Sequence, residues 1–154
     1  MAQTALNGPG ERIDALRDTM AELLEMQETR IQFAAMMCGL DIRYNLGEGH
    51  PLLGRRMPDL DLRTSTGLVR LFTLLHPARG ILLKFGDRTW DFDLAPWEHR
   101  VSMAIAQSSC AWDLPAVGTV AAPDAALIRP DGHVAWVGDG TAEGLHEALD
   151  RWFT

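Results

Sequence analysis

The sequence predicts an α/β fold, a mixed sheet with flanking helices, preceded by a short helical N-terminal segment. Three observations carry this. Gly80-Ile81-Leu82-Leu83-Lys84-Phe85-Gly86 is an almost unbroken apolar run, as a strand covered on both faces requires. Residues 125–129 and 133–137 flank Pro130-Asp131-Gly132, the clearest hairpin turn in the chain. Upstream of residue 40, apolar residues recur at helical spacing.

Taken in order, Asn7-Gly8-Pro9-Gly10 is a turn cluster. Residues 11–25 form an amphipathic helix with Ile13, Leu16, Met20, Leu23 and Leu24 on one face. A second helix runs from about Glu28 to Cys38, and Gly39 stops it. Residues 41–46 alternate and read as a half-buried extended segment. The stretch 49–62 is the joint of the chain. Pro51 and Pro58 each lack an N–H and push their predecessors toward extended geometry, and Gly49 and Gly54 add loop character. Within it Asp59-Leu60-Asp61-Leu62 is extended, and Thr64-Ser65-Thr66-Gly67 turns. Residues 69–75 give a short strand and one helical turn, broken at 76–80. After the central strand, 87–93 is a polar, aromatic loop, 95–100 is helical and 101–105 is a second sheet strand. Residues 108–124 read mostly as loop. After the hairpin, Thr141 is the expected N-cap of a last helix. Its inner face is read as Leu145, Ala148, Leu149 and Trp152.

A chain of 154 residues can bury a core without staples. Its net charge of −7, with Lys84 the single lysine, argues against a nucleic-acid surface, which needs clustered cations. No apolar run is long enough to span a bilayer, and residues 1–6 lack the pattern of a secretory signal. A cytoplasmic protein is the expectation. Cys38 and Cys110 match no metal spacing and are expected to be reduced and buried.

From about Met57 the order is strand, helix, strand, hairpin, closing helix, which is the pattern of the thioredoxin fold. Redox members of that fold need a cysteine just after the first central strand, where a helix end lowers the thiol pKa. Here that position falls in Gly86-Asp87-Arg88-Thr89-Trp90, without a cysteine. Pro123 stands near, but not at, the position of the proline that usually precedes the hairpin. Thiol redox chemistry is therefore not expected. His50, His76, His99, His133 and His146 are scattered without metal-ligand spacing. Asp87, Asp91 and Asp93 with Arg88 form an acidic loop cluster that an Asp–Arg pair would explain. Trp90, Trp97, Trp112, Trp136 and Trp152 serve either core packing or a flat aromatic ligand. Ser108-Ser109 has no nucleophile-elbow motif, and no phosphate loop or G-x-G-x-x-G occurs.

Three stretches carry a family resemblance over essentially the whole chain. They are Met37-Cys38-Gly39-Leu40-Asp41-Ile42-Arg43-Tyr44, then His50-Pro51-Leu52-Leu53-Gly54-Arg55-Arg56-Met57-Pro58-Asp59-Leu60, then Arg129-Pro130-Asp131-Gly132-His133-Val134-Ala135-Trp136. With them the chain resembles the C-terminal portion of the FAD-dependent aromatic hydroxylases of polyketide biosynthesis, which act on anthracycline- and angucycline-type substrates. The resemblance implies that residues 1–46 match the tail of a flavin domain and 47–154 a thioredoxin-like domain without its CxxC. It also implies that FAD and NADPH belong to an upstream flavin domain. No catalytic, cofactor-binding or metal-binding residue carries over to this chain.

Three functions remain open at this point. The chain is a non-catalytic structural or docking module. Or it is an accessory protein that binds an aromatic polyketide intermediate, in which case an apolar pocket lined by tryptophans should exist. Or it is an enzyme with new chemistry on a redox-dead thioredoxin fold, which would need a strongly perturbed carboxylate or histidine in a cleft. The apolar faces of residues 11–37 imply docking onto a flavin-domain protein or self-association.

Overall fold

The computed structural model of the protein describes residues 8–86, 92–107, 111–114 and 117–154. The chain divides into two compact units, Met1–Asp41 and Ile42–Thr154. Residues 42–46, grouped above with the helical segment, thus sit in the larger unit.

The smaller unit is a pair of helices, α1 (Glu11–Glu25) and α2 (Gln27–Met37). The chain breaks between them at Met26, whose backbone is extended while its N–H still reaches the Leu23 carbonyl at 3.2 Å. Gly39 ends α2 as expected. It is left-handed (φ 68), its N–H bonds the Met36 carbonyl and the Leu40 N–H bonds the Ala35 carbonyl, which together make a Schellman stop. Ala35 is the buried residue of α2, and α1 has none. Cys38, expected to be buried, is exposed at the C-cap of α2.

The larger unit is built on a four-stranded sheet. Its strands are β3 (Gly80–Phe85), β4 (Val101–Ala106), β7 (Ala125–Ile128) and β8 (Val134–Gly138), in the order β4-β3-β7-β8. β4 is parallel to β3, β7 is antiparallel to β3, and β8 is antiparallel to β7. This order and these directions are those of a thioredoxin core. The continuous apolar run of β3 is explained by its central place. Ile81 and Leu83 enter one core cluster, and Leu82 enters the other on the opposite face.

Among the described residues no α-helix covers the first face, to which the 3₁₀ turn Leu71–Leu75 contributes Leu71. Two hairpins lie on it, β1 (Asp61–Thr64) with β2 (Gly67–Arg70), and β5 (Ala111–Leu114) with β6 (Gly118–Ala121). The second hairpin corrects the reading of 108–124 as mostly loop. Trp112, Leu114 and Val120 alternate inward and are buried, but a four-residue strand gives too short a pattern to stand out beside Pro115 and Gly118. The joint supplies the rest of this face, where Leu52, Met57 and Leu62 are fully buried. Asp59 then caps the 3₁₀ turn Leu71–Leu75. Its Oδ1 accepts the Phe72 N–H, and its Oδ2 accepts two N–H groups from Arg70.

The opposite face is closed by α3 (Leu145–Phe153) and by Trp97 of a 3₁₀ turn, Ala95–Trp97. That short turn replaces the helix expected over 95–100. Thr141 is not the N-cap. The helix starts at Leu145 behind Gly144, which is left-handed (φ 72) and lets the chain turn under Trp136, whose indole N–H bonds the Glu143 carbonyl at 2.7 Å. The inner face of α3 is Leu145, Leu149 and Phe153, with Trp152 half-buried beside it. A Cβ on Gly80 would overlap the Phe153 ring, so the glycine that opens β3 is what lets the helix end close down.

The segment 42–46 is mostly exposed rather than half-buried, since only Leu46 loses much of its surface. It is held by backbone instead. Arg43 bridges Arg55, and the Tyr44 N–H bonds the Gly54 carbonyl at 2.9 Å.

Phe153→Ala should cost about 3–5 kcal/mol, the range for truncating a buried aromatic ring. Trp152→Ala should cost clearly less, because that ring is only partly buried. Urea unfolding of both variants reads the order directly; equal midpoints would mean that Phe153 is not the closing residue.

Candidate functional site

In a thioredoxin core the reactive thiol sits where β3 ends. Here β3 ends at Phe85, whose N–H bonds the Asp124 carbonyl at 2.9 Å, and Asp124 in turn bonds Gly138 at the end of β8. A cleft of about 460 Å³ opens beside this pole, lined by His50, Pro123, Asp124, Trp136, Asp139 and Glu143 among others. Its rim carries three carboxylates and no lysine or arginine. Pro123 lies two residues before β7, and no cis peptide bond occurs among the described residues.

His50 is the one histidine in this cleft, and both of its ring nitrogens are engaged. Nδ1 accepts the Leu52 N–H at 3.2 Å, so Nε2 carries the proton and donates it to the Ala121 carbonyl at 3.0 Å. The ring therefore clips the joint to β6 and offers no free base. Among the lining residues there is no serine or cysteine to act as a nucleophile.

The other sequence candidates do not come together here. His76 and His99 are exposed, and His99 Nε2 accepts from Arg100 at 3.2 Å. His146 packs edge-on against Trp97 at 4.9 Å and reaches Asp150 at 3.2 Å. No cluster able to hold a metal ion occurs among the described residues. The tryptophans divide between the two faces of the sheet: Trp112 lies on one, and Trp97, Trp136 and Trp152 on the other. Asp93 Oδ1 caps the 3₁₀ turn through the Ala95 N–H at 2.9 Å. Asp87, Arg88, Trp90, Asp91, Ser108, Ser109 and Cys110 lie outside the described residues.

A second constellation was not legible as a unit in the sequence. Arg129 stands between two rings, 4.9 Å from Tyr44 and 4.2 Å from Trp152. Its guanidinium also holds both carboxylate oxygens of Asp131. The His133 ring packs edge-on against Tyr44 at 5.0 Å, with Nδ1 3.5 Å from Asp131 Oδ1. Neither ring nitrogen of His133 has a hydrogen-bond partner among the described residues. Burial pushes the Asp131 carboxyl up. The His133 N–H at 3.1 Å, and then the hydrogen bonds and charge of Arg129, outweigh it and hold the group below its ordinary value. The turn itself is ordinary chemistry: Pro130 and Asp131 at its centre, then Gly132 at φ 84, with the Gly132 N–H bonded to the Arg129 carbonyl at 2.9 Å.

All three resemblance-bearing stretches meet at this point. Tyr44 is from the first and packs on the third. Gly54 is from the second, and its N–H bonds the Val134 carbonyl at 2.9 Å. Arg56 bridges His133, and the Met57 N–H bonds the Gly132 carbonyl at 2.8 Å.

Comparison with known proteins matches this chain to one group. The family model for the C-terminal domain of aromatic-ring hydroxylases covers residues 50–154. Anhydrotetracycline monooxygenase of Streptomyces rimosus is 39% identical over 155 residues, 99% of this chain and 30% of its own length. The solved structure of CabE, an aromatic hydroxylase from angucycline biosynthesis, is 41% identical with a TM-score of 0.76, covering 99% of this chain and 31% of its own. PyrE3, the Diels-Alderase of pyrroindomycin biosynthesis, is 28% identical with a TM-score of 0.67, again over 99% of this chain and 27% of its own. This chain thus spans less than a third of the relatives it matches.

The lowered Asp131 fixes a sign for acid stability. Its contribution is complete above the ordinary carboxyl value of 3.8 and is lost as pH falls through the lower folded value. Asp131→Asn should lower neutral-pH stability by under about 1 kcal/mol, since the carboxylate is partly exposed. It should also flatten the loss of stability below pH 4. Thermal midpoints from pH 7 to pH 2 test this, and an unchanged acid limb would remove the carboxylate from the account.

Proposed function

This chain belongs to the aromatic-ring hydroxylase C-terminal family, and from that premise we propose that it is a non-catalytic structural module that docks onto a flavin domain. One observation carries the reading. The residues most characteristic of the chain, from Tyr44 through Gly54 to Arg129 and His133, converge on a packed joint instead of a reactive cleft. The cleft at the former redox pole supports the same reading, because its histidine is spent on backbone hydrogen bonds.

The comparisons add a second support. The same module, at similar coverage, occurs in a protein named a hydroxylase and in one named a Diels-Alderase. Oxygen insertion and cycloaddition share no catalytic machinery, so a part common to both is more economically a support than a reaction centre. An accessory protein binding an aromatic polyketide is the weaker reading, since Trp136 alone of the described tryptophans lines the cleft.

The docking surface is the helical unit. Leu16, Leu23, Met26, Ile31, Met36 and Met37 are all at least 40% exposed, with Met37 at 80%. Apolar residues this numerous on two short helices mark an interface. The partner is the flavin portion that makes up the remaining length of a relative. FAD and NADPH would bind there, and an aromatic polyketide would be the substrate of the assembled protein.

Two outcomes are expected. The purified chain alone should carry no stoichiometric flavin absorbance and should not oxidise NADPH. Co-expressed with a family flavin domain truncated before this region, it should co-purify and raise that domain's flavin occupancy, and Leu23→Glu with Leu24→Glu should abolish both effects. A yellow isolated chain, or a flavin domain indifferent to it, would overturn the proposal.

A further inference from the structure

The Tyr44–Arg129 cluster continues outward into a line of arginines. Arg129 lies over the Trp152 ring at 4.2 Å, and Arg151 lies over the same ring at 5.3 Å. On the other side Tyr44 meets His133, and His133 bridges Arg56, whose guanidinium lies 5.4 Å over the Phe72 ring. Arg43 stands next to Tyr44 in the chain and is exposed, as are Arg56 and Arg151.

The ends of this line differ from its middle. Arg129 is largely buried and fully provided for, with a ring on each face and the Asp131 carboxylate along its edge. Arg56 and Arg151 have the ring without the carboxylate. Their side-chain N–H groups have no hydrogen-bond partner among the described residues. A ring engages the flat face of a guanidinium and leaves its in-plane N–H edge for an acceptor. Arg43 donates from Nε to the Leu53 carbonyl at 3.3 Å, and its two terminal nitrogens have no partner among the described residues. Four guanidiniums thus stand against one carboxylate, in a chain whose net charge is −7.

We propose that this line is a docking surface for an acidic protein segment. Its carboxylates take the edges of Arg43, Arg56 and Arg151 as Asp131 takes that of Arg129. Charge complementarity makes the occupant anionic, since a cluster of like charges is relieved only by the opposite sign. The rings between the cations, with Ile42 exposed beside them, make it a protein. Arginine, tyrosine and tryptophan are the residues that dominate protein interfaces. Three outward cations on an acidic chain do not form the broad basic face that a nucleic acid requires. The inference rests on the docking reading above, which assigns the acidic segment to the flavin portion of a family member. It adds to the apolar helices a charged contact on the larger unit, which sets orientation and salt dependence.

Titration calorimetry of the full chain against a family flavin domain truncated before this region tests it. Affinity should fall about tenfold between about 50 and about 300 mM salt, because exposed charges are screened. Arg56→Glu with Arg151→Glu should weaken binding at low salt by about tenfold or more and abolish the salt dependence. Arg56→Lys with Arg151→Lys keeps the charge and should keep the salt dependence, at reduced affinity, because lysine loses the fork of N–H groups. Both residues are exposed, so each variant should fold, which far-UV circular dichroism checks. Binding that is indifferent to salt and to charge reversal, or strengthened by either, would overturn this inference alone. No binding by the unmodified chain would overturn it together with the docking reading.

Discussion

The larger unit depends on the absence of a side chain at Gly54. Its backbone is gripped from two sides, by Tyr44 through the 2.9 Å bond to its carbonyl and by Val134 through the bond from its N–H. A Cβ there would overlap the Tyr44 carbonyl oxygen, and the residue's φ of 77 is one that other residues adopt only with strain. With the chain held this close, the segment around Arg43 and Tyr44 is fastened to the start of β8 without burying much apolar surface of its own. The Tyr44 ring is then delivered onto His133 and Arg129, and the joint that follows is delivered into the core through Leu52, Met57 and Leu62. Packing and backbone pairing here are consequences of one tight approach.

The second consequence is electrostatic. Arg129 is 15% exposed, and a guanidinium that far from water needs compensation. It receives the carboxylate of Asp131 in its plane and an aromatic ring on each side, Tyr44 and Trp152. Tyr44 is placed by Gly54, Asp131 by the Pro130–Gly132 turn and Trp152 by the last helix. One cation thus touches side chains from three separate elements.

What the sequence showed follows from the length of its signals. β3 was legible because its burial on both faces erases alternation over a whole strand, and the hairpin because Pro130, Asp131 and Gly132 demand one turn. Gly39 was legible as a stop because a left-handed position has few substitutes. The β5–β6 hairpin was not, because its four-residue strands bury only two residues and one. Thr141 failed as an N-cap because Gly144 and the Trp136–Glu143 hydrogen bond reset the helix start by three positions, a tertiary effect. Trp152 and Phe153 exchanged roles for a related reason. With the start at Leu145, the spacing that buries Leu145 and Leu149 reaches Phe153, and Trp152 turns to Arg129. In the candidate site, His50 was visible only as a histidine, since both its bonds are to backbone groups that a sequence does not place. The Tyr44–Arg129–His133 cluster was visible as two separate stretches but not as one contact, because Tyr44 stands more than eighty residues before Arg129.

The absence of a cysteine just after β3 and the altered cover of the sheet belong together. In a redox thioredoxin core the helix after the first strand is needed for its N-terminus, which lowers the thiol pKa. Without a cysteine in residues 86–90, that electrostatic requirement disappears, and any cover that excludes water will serve. One face of this sheet is covered by two hairpins and a proline-bounded joint, and the other by a single helix with Trp97. Such a cover satisfies the core but leaves the far half of β4 unroofed at Met103 and Ile105. What the fold retains is a sheet into whose core the joint delivers Leu52, Met57 and Leu62.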